Sequence, residues 1–239
     1  MTSLPSTIAA FDEAQRRTLA LLDELAPRVV AGASTKDVEA MARDAAEAAG
    51  ASAWYHAPEV SVGAAIGGGL RARLATLRPR ALQDGDLVSV DLAPAFGDAY
   101  GDAGVTICVG GVNPPPVLEV ARACTEAACG FASRWKTVGE IHIFARAWAI
   151  NRRMDLADLG AVGHRVLPCE GVLATGFPRS AHLATALMRN RIHRLNPVRM
   201  QGMFAVRPVL RAADGTCAAF EEIVWIDGEH KRVLGRDAA

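Results

Sequence analysis

Two aspartates, Asp91 and Asp102, stand eleven residues apart, on either side of Pro94-Ala95-Phe96-Gly97-Asp98. β-Branched residues cluster on both flanks, so the stretch from Asp86 to Gly110 reads as two antiparallel strands joined by a tight, glycine-containing connection. Folded symmetrically about Phe96 and Gly97, the hairpin sets Asp91 opposite Asp102 on one face, with Cβ atoms roughly 5 Å apart. Carboxylates that close repel unless a proton, an arginine or a metal cation lies between them. The chemistry expected here is that of whichever cation does so.

The elements that must hold this hairpin follow from periodicity. From Ile8 to Val30 the apolar residues Phe11, Leu19, Leu22, Leu25 and Val29 recur at a helical period, and Ala31-Gly32 ends the run. Ser34 with Asp37 three residues on is a capping box, and Val38, Met41 and Ala45 carry a second helix to Gly50. Trp54 to Gly63 reads as a strand running into Gly67-Gly68-Gly69. Beyond the hairpin, Pro114-Pro115-Pro116 precedes a helix over Val117–Arg134 and another over Ile141–Met154. Strands are then expected over Met203–Leu210, Ala218–Ile226 and Lys231–Leu234, with a turn at Ala213-Asp214-Gly215. The order of helix pair and strands thus occurs twice, which suggests a pseudo-duplicated domain. The polar region from Ala174 to Asn196 gives no readable pattern, and its histidines, His182 and His193, are taken as surface residues.

Composition bounds the function. The 239 residues are 51% hydrophobic, enough for a sizeable core, and no composition shift marks a boundary, so one domain is expected over residues 1–239. With 26 basic and 26 acidic side chains there is no global field toward nucleic acid or an anionic membrane. No apolar run reaches the ~18 residues of a membrane span. Met1 to Phe11 lacks a signal-peptide pattern, so a soluble cytoplasmic protein is the expectation. The five cysteines, Cys108, Cys124, Cys129, Cys169 and Cys217, form no Cys-x-x-Cys pair and read as core thiols rather than disulfides or a zinc site. Only three of the basic residues, Lys36, Lys136 and Lys231, are lysines, so arginine at any one position is unsurprising.

The hairpin resembles the metal-binding hairpin of the creatinase and methionine aminopeptidase family, which has the pita-bread fold and includes the Xaa-Pro aminopeptidases. Ala31-Gly32-Ala33-Ser34, the strand Gly85-Asp86-Leu87-Val88-Ser89-Val90-Asp91-Leu92, Gly163-His164, Gly202-Met203-Phe204-Ala205-Val206-Arg207-Pro208 and Phe220-Glu221-Glu222-Ile223-Val224 resemble family landmarks in the family's order. The likeness spans nearly the whole chain. It implies an α+β fold, a pseudo-duplicated, curved antiparallel sheet with covering helices, without the additional N-terminal domain of prolidases.

By this resemblance Asp91, Asp102, His164 and Glu221 stand at four of five positions that ligate paired metal ions. Such donors suit manganese, cobalt, iron or zinc, which as a pair activate a bridging water for amide hydrolysis. At the fifth position, where the family has Glu before Pro, this chain has Arg207 before Pro208. A full site balances four carboxylates against two divalent ions. Here three carboxylates and one arginine leave two negative charges, which is one divalent ion or, with protonation, none. Arg207 can bridge two carboxylates and fill the volume of a missing metal. Two further departures concern proton transfer. The family's catalytic His falls near Leu74, and no His lies between Gly63 and Asp102; its second conserved His falls at Cys169 or has no counterpart.

Asp91 and Asp102 are therefore read as a buried, charge-compensated pair, against the alternative of surface aspartates at strand ends. His164 is a ligand or an ordinary histidine. Glu221 is a ligand or the salt-bridge partner of Arg207. His56, ahead of Pro58 in a segment resembling the substrate-pocket wall of the methionine aminopeptidases, contacts substrate or packs beside Trp54 and Tyr55. Three functions remain open. One is an atypical enzyme acting on a small molecule by amide or amidine hydrolysis or related acid/base chemistry, with Asp102, His164, Arg207 and Glu221 catalytic and His56 and Arg207 holding substrate. Another is an inactive pita-bread module that binds a peptide or protein. The third is a genuine metallo-aminopeptidase with a substituted ligand. The expected ligand is a small molecule or short peptide, and a homodimer is compatible with an apolar rim.

Overall fold

The computed structural model describes residues 5–68, 79–111, 113–157, 161–166 and 191–236. Four helices, α1 (Ser6–Leu25), α2 (Thr35–Ala48), α3 (Pro116–Phe131) and α4 (Val138–Ile150), accompany eleven strands among the described residues. The strands are β1 (Ala53–Val62), β2 (Leu87–Phe96), β3 (Ala99–Tyr100), β4 (Ala103–Cys108), β5 (Asp155–Leu156), β6 (Gly163–Val166), β7 (Gly202–Val206), β8 (Val209–Arg211), β9 (Cys217–Ala219), β10 (Glu222–Asp227) and β11 (His230–Val233).

All strand pairings are antiparallel. In the first half β2 lies between β1 and β4; in the second the order is β11-β10-β7-β6; β5, β8 and β9 form a small third sheet. The two halves repeat a local design. Ser34 caps α2 with Asp37 returning the bond, Thr137 caps α4 with Glu140 doing the same, and each cap residue bridges to a later segment, at Ala81 and Arg199. The Thr137 box starts α4 at Val138, earlier than apolar spacing alone suggests.

Alternation along the strands decides what faces what. Val88, Val90 and Leu92 of β2 pack with Leu21, Leu22, Leu25, Val38, Ala42 and Ala46, so α1 and α2 cover that face of the first sheet. Phe204, Val206, Val224 and Ile226 pack with Ala121, Ala128, Ile141 and Ala145, so α3 and α4 cover the second. By the two-residue period, Ser89 and Asp91 project to the uncovered side of β2, and Met203, Ala205 and then Arg207 to that of β7. The strand expected over Met203–Leu210 is split into β7 and β8 at Arg207-Pro208, where Pro208 has no N–H to continue a ladder and Arg207 N–H turns to Val162 O at 2.8 Å.

The hairpin register differs from expectation. Phe96 pairs with Ala99, so the turn is the two-residue Gly97-Asp98, with Gly97 at φ +67°, which glycine adopts readily. Asp91 consequently faces Gly104, not Asp102. Asp102 lies in the break between β3 and β4, diagonal to Asp91.

Candidate active site

Each half delivers its charged groups in the same order. An imidazole comes from the flanking strand, His56 opposite Ala93 and His164 opposite Ala205. A charged residue follows, Asp91 on β2 and Arg207 just after β7. An acid then stands immediately before the next strand, Asp102 before β4 and Glu221 before β10. The halves meet where Glu221 N–H donates to Gly104 O at 2.9 Å, which brings the two sets into one pocket.

Asp102 is held by its backbone: Gln15, wholly buried on α1, donates to Asp102 O at 3.1 Å and accepts from Asp102 N–H at 2.7 Å. Arg207 lies between halves, its Nε 3.4 Å from both Asp91 Oδ2 and Glu221 Oε2, and one Nη donates to Ser89 Oγ at 3.3 Å. His56 Nε2 lies 3.6 Å from Asp91 Oδ1 and 3.7 Å from Asp102 Oδ1. His164 Nε2 is 3.2 Å from Asp102 Oδ2 and 4.0 Å from Glu221 Oε1. The His164 ring stacks on Tyr55, which stacks on Tyr100 with centroids 4.3 Å apart.

Without an ion the pocket neutralises itself with protons. Burial opposes charging His56, but the carboxylates of Asp102 and Asp91 outweigh it and raise its pKa to about 10. His164 is raised in the same way, burial being overcome by Asp102. Burial would raise Asp102 too, yet the two imidazoles hold it well below the usual carboxylate range. Burial raises Asp91, with Arg207 and His56 countering in part. Glu221 is pushed well above the carboxylate range by burial and by the charges of Asp91 and Asp102. The shifts thus favour protons on His56, His164 and Glu221, which together with Arg207 offset the charge of the buried aspartates.

The donors form two overlapping sets, His56–Asp91–Asp102 and Asp102–His164–Glu221, each with its ligand atoms within 4.8 Å of one another. Asp91 Oδ1 and both oxygens of Asp102 are buried without a hydrogen-bond partner, as expected where a cation belongs. One divalent ion fits: with Arg207 it offsets the three carboxylates, the imidazoles being neutral. Two do not, because they would leave two positive charges in a buried pocket where the arginine already occupies the gap between Asp91 and Glu221.

The structure therefore brings together Asp91, Asp102, His164, Arg207, Glu221 and His56. It sets Glu221 3.4 Å from Arg207 and 4.0 Å from His164, so it is the ion-pair partner of the arginine. Sequence reasoning missed Gln15 and Ser89. Gln15 sits four residues after Phe11 on the apolar stripe of α1, and a polar residue on that stripe was the available signal. The expectations for Leu74, Cys169, His182 and the region up to residue 190 lie outside the described residues. Arg191 and Ile192 lie beside β6, with Val162 N–H donating to Ile192 O at 2.8 Å and Ile192 N–H to Gly163 O at 2.9 Å, and the chain then turns so that Gly139 N–H at the start of α4 donates to Asn196 O at 2.9 Å. No helix among the described residues is long and apolar enough to cross a membrane.

A sequence profile of metallopeptidase family M24 matches residues 9–226. No curated protein matches the chain. Among solved structures, methionine aminopeptidase from Thermotoga maritima superposes with a TM-score of 0.75 at 19% identity, covering 99% of both chains. Prolidase from Pyrococcus furiosus gives 0.76 at 16% identity, with 99% of this chain and 66% of that one covered. The X-Pro aminopeptidase of Thermotoga maritima gives 0.75 at 15%, with 100% of this chain and 63% of that one. At such identities the likeness shows the fold, which is the pita-bread fold expected from the hairpin and its partners.

Proposed function

Since the chain belongs to metallopeptidase family M24, we propose that it is an atypical hydrolase of that fold, acting as one domain on a small molecule or short peptide with at most one divalent ion. The observation that carries this reading is Arg207 Nε at 3.4 Å from both Asp91 and Glu221, a permanent charge where a second ion would otherwise be needed. Asp102, with its neighbouring carboxylates and imidazoles, would hold the one ion. When bound, manganese, cobalt, iron or zinc would polarise an amide or amidine or lower the pKa of a water. Arg207 binds a substrate carboxylate or stabilises negative charge developing on the substrate. His164, 30% exposed at the side chain and 3.2 Å from Asp102, carries a proton between pocket and substrate, and Glu221 holds one when the pocket is free of metal.

A second reading, a non-catalytic binding module, is favoured by Arg207, which pairs with both Asp91 and Glu221 and sets a protein cation among the carboxylates. Metal analysis of the purified protein, combined with hydrolysis assays on small amides, amidines and peptides, separates the cases. Up to one equivalent with turnover of a small amide or amidine supports the proposal. Two equivalents with release of N-terminal residues from peptides would establish a standard aminopeptidase instead, and ligand binding without any turnover would favour the module.

A further inference from the structure

We infer that His56, on β1, is the nitrogen ligand of the pocket's single cation site, which is formed by His56 Nε2, Asp91 Oδ1 and Asp102 Oδ1, leaving His164 and Glu221 outside the coordination sphere. The inference rests on the one-ion reading above and assigns its ligands. Three observations carry it. First, the two carboxylate oxygens that face His56 Nε2 are both buried and both without a hydrogen-bond partner; in the other set only Asp102 Oδ2 is so orphaned. Asp91 and Asp102 are 7% and 0% exposed, so water does not satisfy these oxygens from bulk.

Second, the spacing suits an ion rather than a hydrogen bond. His56 Nε2 is nearly equidistant from the oxygens, at 3.6 and 3.7 Å, too long for an N–H···O bond. Two donors each about 2.0–2.2 Å from a common ion lie about 3.3–3.6 Å apart at a tetrahedral angle, close to both of these distances. In the second set the spacing is uneven, 3.2 and 4.0 Å.

Third, each group is already oriented from behind. His56 Nδ1 lies 2.9 Å from Ala57 O, so its N–H donates to that carbonyl and Nε2 is the nitrogen left to face the carboxylates, the arrangement typical of a metal-bound imidazole. Arg207 engages Asp91 through Oδ2, which leaves Oδ1 for the ion. The backbone of Asp102 is fixed by Gln15. His164 has a similar bond, Nδ1 to Arg165 O, but at 3.2 Å and with a more exposed ring, which suits a group that meets substrate.

The test uses the full chain, metal-stripped and reconstituted with cobalt(II). Wild type is expected to take up one equivalent and to show one exchangeable, paramagnetically shifted imidazole N–H resonance. His56→Ala should lose that resonance and weaken cobalt binding by more than about 100-fold, whereas His164→Ala keeps both. Circular dichroism confirms that each variant is folded, and the single shifted resonance of wild type, assigned through selective histidine labelling, decides the point even if a variant is not. If His164→Ala loses the metal and His56→Ala keeps it, the assignment is overturned. Two equivalents in wild type would refute the one-ion reading alone, and the assignment would then stand or fall on whether His56→Ala removes one of them. No uptake by wild type refutes both.

Discussion

Replacing Arg207 by glutamate tests the charge logic of the pocket most directly. The guanidinium Nε lies 3.4 Å from a carboxylate oxygen of each of Asp91 and Glu221. At an effective dielectric of about 20, each contact has a gross attraction of about 5 kcal/mol, much of it offset by desolvation. Breaking such a buried pairing costs about 3–5 kcal/mol, and in a chain of this size that lowers Tm by roughly 6–20 °C. The metal-free R207E variant carries four carboxylates in one pocket, and one ion no longer balances them. Uptake of manganese or cobalt should therefore rise from at most one equivalent to two. Bound metal should also restore stability, by about 2.7 kcal/mol at a hundredfold excess over Kd, so that much of the lost Tm returns. The measurement is a thermal melt with and without metal, alongside elemental analysis of dialysed protein. If R207E melts like wild type and takes up no more metal, the arginine is not standing in for an ion and the argument fails.

His56 gives the pH dependence. With its pKa raised from 6.5 to about 10 in the metal-free pocket, it contributes stability that is complete below pH 6.5 and is lost as the pH climbs toward 10. In chelator-treated protein, denaturant melts of wild type should weaken from pH 7 to pH 10, and those of His56→Gln should fall less steeply; parallel profiles would refute the shift. Gln15→Leu leaves the backbone N–H and C=O of Asp102 buried without partners. The expected loss is about 1–3 kcal/mol per orphaned group, with weaker cobalt uptake in isothermal titration. Thr106 Oγ donates to Ala219 O at 2.8 Å and accepts from Ala219 N–H at 2.9 Å, a pair of hydrogen bonds across the seam between the halves. Thr106→Val should cost about 1–3 kcal/mol in urea melts without altering metal stoichiometry, and a changed stoichiometry would place this seam in the site.

Much of the fold was legible because it rests on local signals. The capping box at Ser34 and Asp37, the helical stripe of α1 and the β-branched flanks of the Asp91 hairpin each work through neighbours in sequence and each formed, although α1 ends at Leu25, where Ala26–Arg28 with Pro27 tightens into a 3-10 turn, rather than at Val30. The identities of the charged groups were legible through the likeness to the pita-bread family, which singled out Asp91, Asp102, His164, Arg207 and Glu221. Geometry was not. A turn of Gly97-Asp98 instead of Phe96-Gly97 moves the register by two residues, so Asp91 faces Gly104, and no local pattern distinguishes the two turns. His56 lies 35 residues before Asp91 and was readable only as a pocket wall or packing residue. Its position between two buried carboxylates depends on how β1 lies on β2, with register shifts between Trp54 and Glu59. Gln15 grips Asp102 only because α1 crosses the hairpin break, and Glu221 meets Arg207 only because the halves join at Gly104. By its likeness to the family the sequence pointed to Asp91, Asp102, Glu221 and Arg207 as charges sharing one pocket. How they face one another was set by the fold, because the distances among His56, Asp91, Asp102 and Arg207 come from packing between segments far apart in the chain.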